Sequence, residues 1–267
     1  MPRVSFDAAE HLVRYRDQVA RHRFVNWTLS VHTRLDIDLT AADRYLAERA
    51  RAGRTPPLTR EHLWLCAAAR VIRERPLFNA AYDGFRKLEP REDIHLRVTV
   101  ERPQGMGRGL IPHADRLDPA GMARALEEAR ARAAEPWQVE APPRRRPGRL
   151  GRLRDELAEV VNDYAPHLEP RLGAASGHDA GTFDVVNAGA YGAEDLHLVV
   201  LRPAVAALVV MAPREDVVPG PEVRVRVPMA VPFCHKVMDT DSAGYFLLHM
   251  QQLLDDPGAS LGGEGGA

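Results

Sequence analysis

The sequence has 267 residues, of which 45% are hydrophobic and 27% charged, a composition typical of globular proteins with an apolar core. The formal net charge of -1 argues against a general binder of nucleic acids or anionic membranes. The cysteines, Cys66 and Cys234, provide neither a disulfide framework nor a metal-binding spacing, so we expect no metal and a reducing, cytoplasmic location. The amino terminus has no apolar signal core, and no segment has the length and apolar content of a membrane span.

The first half of the chain predicts alternating helices and strands. Residues 8–25 have the charged composition of an exposed helix, and residues 35–40 alternate as a half-buried strand. Thr40 is a potential N-cap with Asp43 as its capping-box partner, which predicts a helix over residues 41–51. The further predicted elements are a helix at 58–75, a strand at 94–100, a glycine-rich turn at 105–109 and a helix at 119–134.

Residues 136–180 differ in composition from the segments around them. The stretch from Pro142 to Pro147 cannot form a helix or a central strand, which favours a solvated linker, although its arginine cluster could also contact a phosphate. Between Leu150 and Tyr164, apolar residues recur at helical spacing. This apolar face predicts packing on the core or, as the alternative, a partner or lid helix.

The second half predicts strands followed by one helix. Strands are expected at residues 183–186, 196–201, 205–211 and 223–231. A helix begins near Ser242 and ends at the Pro257-Gly258 pair. Residues 259–267 are rich in glycine and contain little apolar surface, so we expect a disordered tail.

The stretch from Phe233 to Thr240 carries the clearest chemical signal. His235 follows a predicted buried strand, and Asp239 lies four residues further on. Histidine suits general base catalysis because its ordinary pKa lies near neutrality. The alternative is a structural histidine at a strand end and an aspartate in a turn.

Five short stretches, in this order, resemble the catalytic domain of the 2-oxo acid dehydrogenase acyltransferases, the dihydrolipoamide acyltransferase relatives of chloramphenicol acetyltransferase. The family's Gly-Thr-Phe-Thr-Ile-Ser-Asn-Leu-Gly-x-Tyr-Gly is similar to residues 181–192, and its Asp-His-Arg-x-x-Asp-Gly resembles residues 234–240. The three other similar stretches are Val31-His32 with Asp38-Leu39-Thr40, Pro76-Leu77-Phe78-Asn79-Ala80, and Gly109-Leu110-Ile111-Pro112. Together they extend over residues 20–135 and 181–257.

The resemblance implies a chloramphenicol-acetyltransferase-like α/β fold, a two-layer sandwich in which helices cover a mixed sheet, assembled as a homotrimer. It implies one catalytic domain at residues 1–258, with residues 136–180 as an atypical insert. In this family, coenzyme A (CoA) and a small acceptor enter a channel between subunits from opposite ends. The resemblance makes His235 the base and gives Asp239 an architectural role, paired with Arg21 or Arg23.

The sequence also departs from the family pattern. Val186 stands where the family has a serine that stabilises the oxyanion, and either Thr182 or Asn187 could substitute for it. Cys234, Lys236 and Thr240 replace the aspartate, arginine and glycine of the signature around His235. No lipoyl domain precedes the similar region, so we expect a protein outside the standard dehydrogenase complexes. The carboxyl terminus offers only Leu261 for burial, so the trimer is not expected to assemble into a larger cage.

Two hypotheses follow. The first is a stand-alone acyltransferase that moves an acyl group between a CoA or phosphopantetheine thioester and a small thiol or hydroxyl acceptor, with His235 as general base. The second is a catalytically degenerate trimeric scaffold or regulatory relative, which the valine at position 186 favours.

Overall fold

The computed structural model describes six stretches of the chain, residues 30–82, 88–102, 105–133, 182–200, 203–217 and 223–262. The helix predicted for residues 8–25, with Arg21 and Arg23 in it, lies outside the described residues, as does the whole insert at 136–180. The expectations for these segments stay predictions.

The described first half contains both helices and strands, most of them where the sequence predicts. They are β1 (Ser30–Asp38), α1 (Thr40–Arg51), α2 (Arg60–Glu74), β2 (Ala81–Tyr82), β3 (Leu88–Glu89), β4 (Leu96–Arg102), β5 (Gly105–Ile111) and α3 (Pro119–Arg132). The second half contains β6 (Phe183–Asn187), β7 (Ala207–Val210), β8 (Arg214–Val217), β9 (Val223–Cys234), α4 (Thr240–Asp255) and α5 (Pro257–Leu261). Within the described ranges, no helix combines the length and apolar composition that crossing a membrane requires.

Seven of these strands form one mixed sheet. The order is β1-β9-β7-β6-β4-β5, with β8 paired to the first half of β9. Strands β4, β6 and β7 run parallel to one another, whereas β9 is antiparallel to β1 and β7, and β5 is antiparallel to β4. The predicted α/β fold with a mixed sheet and helices is confirmed.

The main core lies between one face of this sheet and the helices. Helix α2 is buried along most of its length, since ten of its fifteen residues are buried. Phe246 of α4 packs on Phe78 and Phe183, with ring centroids 4.7 and 6.0 Å away. Burial raises the pKa of the Cys66 thiol on α2 to about 12, so this cysteine is an unreactive core residue rather than a nucleophile.

The opposite face of the sheet is covered by an irregular segment. Val209, Met211 and Ala230 point to this face and pack against Leu196 and Leu198. The strand predicted at residues 196–201 is therefore wrong over residues 196–200, which form no ladder. Their alternation reflects one side of the segment packing onto the sheet, which produces the same pattern as a strand.

The glycine-rich turn predicted at residues 105–109 is also wrong, because these residues form most of β5. A Cβ atom on Gly109 would lie 2.9 Å from the carbonyl oxygen of Ala129 in α3. The glycine therefore permits close approach of helix and strand.

The disordered tail predicted from residue 259 is corrected for residues 259–262. Residues 257–261 form α5, in which the Asp256 carboxylate accepts a hydrogen bond from the Ala259 amide at 3.1 Å. Leu261 is completely buried in the main core, where α5 packs against α1, α2 and α4. The ordered region thus extends beyond the predicted boundary at residue 258.

Candidate functional site

Strand β9 carries His235 to one end of the sheet. Residues 227–234 are all buried, and β1 pairs with β9 from Arg226 to Cys234. Pro228 and Pro232 lie within this strand and, lacking an N–H group, donate no ladder hydrogen bond. The ladder ends at Cys234, so His235 is the first residue that the sheet no longer encloses. A turn at 235–237 then leads to α4.

The His235 ring is oriented by the turn that follows it. Its Nδ1 lies 3.1 Å from the Met238 carbonyl oxygen, and the side chain is 43% exposed. A carbonyl oxygen only accepts, so Nδ1 carries the proton of the neutral ring and Nε2 keeps its lone pair. This arrangement presents Nε2 as a proton acceptor.

Asp239 contributes little to that orientation. Its Oδ1 lies 4.0 Å from His235 Nδ1, beyond hydrogen-bond range, and its side chain is 85% exposed. Asp239 precedes the first turn of α4, but its side chain accepts no capping hydrogen bond from the described helix. His235 and Asp239 therefore do not form a catalytic dyad of the triad type.

Thr182 and Asn187, at the two ends of β6, are engaged in structural contacts. The Thr182 hydroxyl accepts from the His95 amide at 2.9 Å and donates to the His95 carbonyl oxygen at 3.3 Å. The Asn187 side chain accepts from the Ala190 amide at 3.2 Å and donates to Glu61 at 3.4 Å. The hydrogen bond that the Asn187 side-chain amide donates is the longer of the two donations. This amide could therefore turn to a substrate more readily than the Thr182 hydroxyl could.

Val186 and His235 do not meet within one chain. In the sheet register, Val186 pairs with Val209, which pairs with Ala230. Ala230 precedes His235 by five residues, which is about 16 Å along the strand at the usual rise per residue. Within a single chain, the expected base is therefore far from the expected oxyanion position.

A cleft of about 280 Å³ opens at the carboxyl ends of the parallel strands β4 and β6, where ligands commonly bind in open α/β sheets. Its lining residues are Glu61, Thr99, Val100, Glu101, Met106, Arg130, Asn187 and Ala190. Arg130 donates to Glu61 at 2.7 Å, so an ion pair forms part of the wall. Sequence reasoning missed Glu61 and Arg130, because they come from two helices whose packing has no sequence signature.

Comparison with known proteins identifies relatives with this fold. No family model matches the sequence. The dihydrolipoyllysine-residue acetyltransferase component of the acetoin cleaving system of Bacillus subtilis is 24% identical over 237 residues, which are 87% of this chain. The chain spans about half the length of this curated relative.

Two solved structures superpose over nearly the whole chain. A probable dihydrolipoamide acetyltransferase from Listeria monocytogenes gives a TM-score of 0.65 at 17% identity, covering 100% of this chain and 98% of its own. The cubic core of a pyruvate dehydrogenase multienzyme complex gives 0.66 at 20% identity, covering 98% and 100%. Chloramphenicol acetyltransferase is more distant, with a TM-score of 0.48, 15% identity and coverage of 89% and 94%. The predicted resemblance to dihydrolipoamide acyltransferase catalytic domains is confirmed.

Proposed function

We propose that this chain, which has the fold of dihydrolipoamide acetyltransferase catalytic cores, is a stand-alone acyltransferase. It transfers an acyl group between a CoA or phosphopantetheine thioester and a small thiol or hydroxyl acceptor. The observation that carries the proposal is the half-exposed His235 at the end of β9, whose Nδ1 is bound to the Met238 carbonyl oxygen. The expected cytoplasmic location stays a prediction.

In the proposed reaction, His235 Nε2 removes the proton of the acceptor thiol or hydroxyl as that group attacks the thioester carbonyl carbon. The resulting tetrahedral intermediate carries its negative charge on the former carbonyl oxygen. Collapse breaks the carbon–sulfur bond, and the departing thiolate takes the proton from the imidazolium. The Met238 carbonyl oxygen holds the ring throughout, since it accepts from Nδ1–H in both charge states.

The proposed site needs two chains. Since about 16 Å separates Val186 from His235 along the sheet, one substrate carbonyl cannot contact both positions of the same chain. A homotrimer in which His235 of one chain faces β6 of the next would bring the two positions together. CoA and the acceptor would then meet at the subunit boundary, and the cleft at Asn187 would provide room on the β6 side.

The test is acyl transfer from acetyl-CoA to a small dithiol, followed by release of free CoA. We expect His235→Ala to lower turnover by at least ~10²-fold, as loss of a positioned base does, without changing the assembly state. The matched control is His249→Ala on α4, whose imidazole lies 3.5 Å from Glu74 and outside the proposed site. Near-normal turnover in His235→Ala would assign the chemistry to another residue.

The scaffold alternative rests on Val186 and predicts that the wild-type protein neither binds CoA nor turns over. Competition of CoA or pantetheine against a bound fluorescent probe separates the two functions. Binding of CoA together with loss of turnover in His235→Ala supports the acyltransferase. Absence of CoA binding supports the scaffold.

A further inference from the structure

The start of β4 and the turn after β5 bring one carboxylate and two imidazoles together. Asp93 and His95 precede β4, His113 follows β5, and a potential ligand atom from each lies within 4.8 Å of the others. We propose that Asp93, His95 and His113 bind a divalent transition-metal ion of the zinc class. The proposal is independent of acyl transfer and departs from the sequence expectation that no metal binds.

The β4–β5 pairing explains why these three residues meet. Leu96 pairs with Ile111, and the Ala114 amide donates to the Ile94 carbonyl oxygen at 2.9 Å, which places His113 opposite Ile94. If His113 continued β5 as regular strand, its side chain would point to the same face of the sheet as Ile94, which is buried in the core. Instead, His113 has a left-handed backbone with φ of 48°, a conformation that is uncommon for residues other than glycine. Its ring lies against the His95 ring, with centroids 4.7 Å apart.

The contact between His113 and Asp93 has the spacing of two ligands on one metal. His113 Nδ1 lies 3.1 Å from Asp93 Oδ1, yet Nδ1 is buried and makes no aligned hydrogen bond with the described residues. Ligands on tetrahedral zinc, with bonds of about 2.0–2.1 Å, lie roughly 3.3 Å from each other. This pair therefore needs little movement to hold an ion.

His95 is the ligand that has to change partner. Its Nδ1 accepts a hydrogen bond from the His113 amide at 3.0 Å, so the neutral ring carries its proton at Nε2. Coordination through Nδ1 exchanges this one neutral hydrogen bond for a metal–nitrogen bond, which is the stronger interaction. The main chain of His95 remains fixed, because its amide and carbonyl groups both bind Thr182.

The charges around the cluster favour a cation. Arg116 donates to Asp93 Oδ1 at 3.1 Å and competes with a metal for that oxygen. Asp115 acts electrostatically on His95 and has a buried Oδ1 that accepts no hydrogen bond from the described residues. Two carboxylates against one guanidinium leave one net negative charge.

The ligand set selects the class of metal. Two imidazoles and one carboxylate suit zinc, nickel, cobalt or copper, whereas magnesium and calcium prefer oxygen ligands. The site is separate from His235. His95 directly precedes β4, which lies three strands from β9, or about 14 Å at the usual strand spacing. Metal binding and the proposed base can thus be tested independently.

The test uses the full chain after treatment with EDTA and dialysis. Cobalt(II) is titrated while its visible absorption is recorded, and zinc(II) binding is measured by calorimetry. The variants are His113→Asn and His95→Asn, because asparagine tolerates left-handed backbone and its Oδ1 can replace His95 Nδ1 as an acceptor. The matched control is His249→Asn, which removes a histidine beside a carboxylate, Glu74, outside this cluster.

We expect the wild type and the control to bind with equal affinity, and each ligand variant to bind at least ~10-fold more weakly. Zinc should raise the melting temperature of the first two proteins more than that of the variants. Equal affinity in all four proteins, or no cobalt absorption in the wild type, would assign the cluster to a hydrogen-bonded turn. Melting temperatures measured in EDTA show whether His113→Asn and His95→Asn are folded. If one of them is not folded, Asp93→Asn is tested in its place.

Discussion

Val186 places an isopropyl group where the resembled family places a hydroxyl near the oxyanion. Valine is a favourable strand residue, and Val186 is half-buried and pairs with Val209 of β7. Loss of one oxyanion donor typically costs ~10²–10³ in rate. An acyltransferase site with valine at this position would depend on another donor, for which Thr182 and Asn187 stay the candidates.

Restoring the hydroxyl tests this position. If the protein is an acyltransferase, Val186→Ser should raise kcat for transfer from acetyl-CoA, by up to ~10²-fold where no other donor acts. Steady-state kinetics with a dithiol acceptor measures the change. Val199→Ser, at a surface position of the irregular segment, is the control and should leave kcat unchanged.

A variant that stays inert and still fails to bind CoA would count against the enzyme hypothesis.

The positions of the candidate site residues were predictable from the sequence only where one residue carries the signal. The position of His235 at the end of a strand was predictable because a short motif follows an apolar run there. The Met238 carbonyl that orients its ring has no sequence signature, since any residue supplies a carbonyl group. The cluster of Asp93 and His113 was not predictable, because it depends on the register of β4 with β5 and on a left-handed backbone at His113.

At the scale of elements, α5 shows how one side chain determines whether a segment is ordered. The helix has five residues, fewer than an isolated helix needs, and Leu261 anchors it in the core. The same burial removes Leu261 from any contact with a neighbouring molecule.

Leu261→Ala should lower the free energy of unfolding by ~2–5 kcal/mol, the usual cost of truncating a buried leucine. The matched control, Leu248→Ala on α4, truncates a leucine that is 49% exposed and should change stability by less than ~0.5 kcal/mol. Urea denaturation followed by circular dichroism measures both. Equal effects in the two variants would show that α5 does not dock as described.

Periodicity predicted most described elements, and the errors share one cause. Helix α2 and strand β9 lie where their apolar patterns place them, apart from a few terminal residues. Strand β5 was missed because glycines give no alternation, and their role appears only when α3 packs on Gly109. At β5, the packing of α3 on the strand determined the structure, because the hydrophobic periodicity of the sequence gave no clear prediction there.

At the scale of the molecule, the separation of Val186 and His235 makes the proposed chemistry depend on assembly. We expect the trimer that the resemblance implies, three chains of 29.6 kDa, and Leu261, which is buried in its own chain, is not available to join one trimer to another. Light scattering at micromolar concentration measures the mass of the particle directly. A monomer would remove the proposed shared site, and a particle of 24 or 60 chains would contradict the limit at three.

Mixed trimers provide a sharper test of the shared site. His235→Ala and Val186→Arg should each abolish transfer alone, the second by filling the oxyanion position. Co-expression should restore part of the turnover, since some interfaces combine an intact His235 with an intact Val186. No recovery in mixed trimers would show that each site uses one chain only.

The two prolines of β9 have a consequence for the protein before it folds. β9 is the longest strand of the described chain and its second half is almost entirely apolar, the kind of segment that forms intermolecular cross-β structure when exposed. Pro228 stands directly before that half and Pro232 within it, and neither residue can donate a ladder hydrogen bond to another nascent chain. We therefore expect the strand that delivers His235 to be less prone to pair with other chains while the protein is still unfolded.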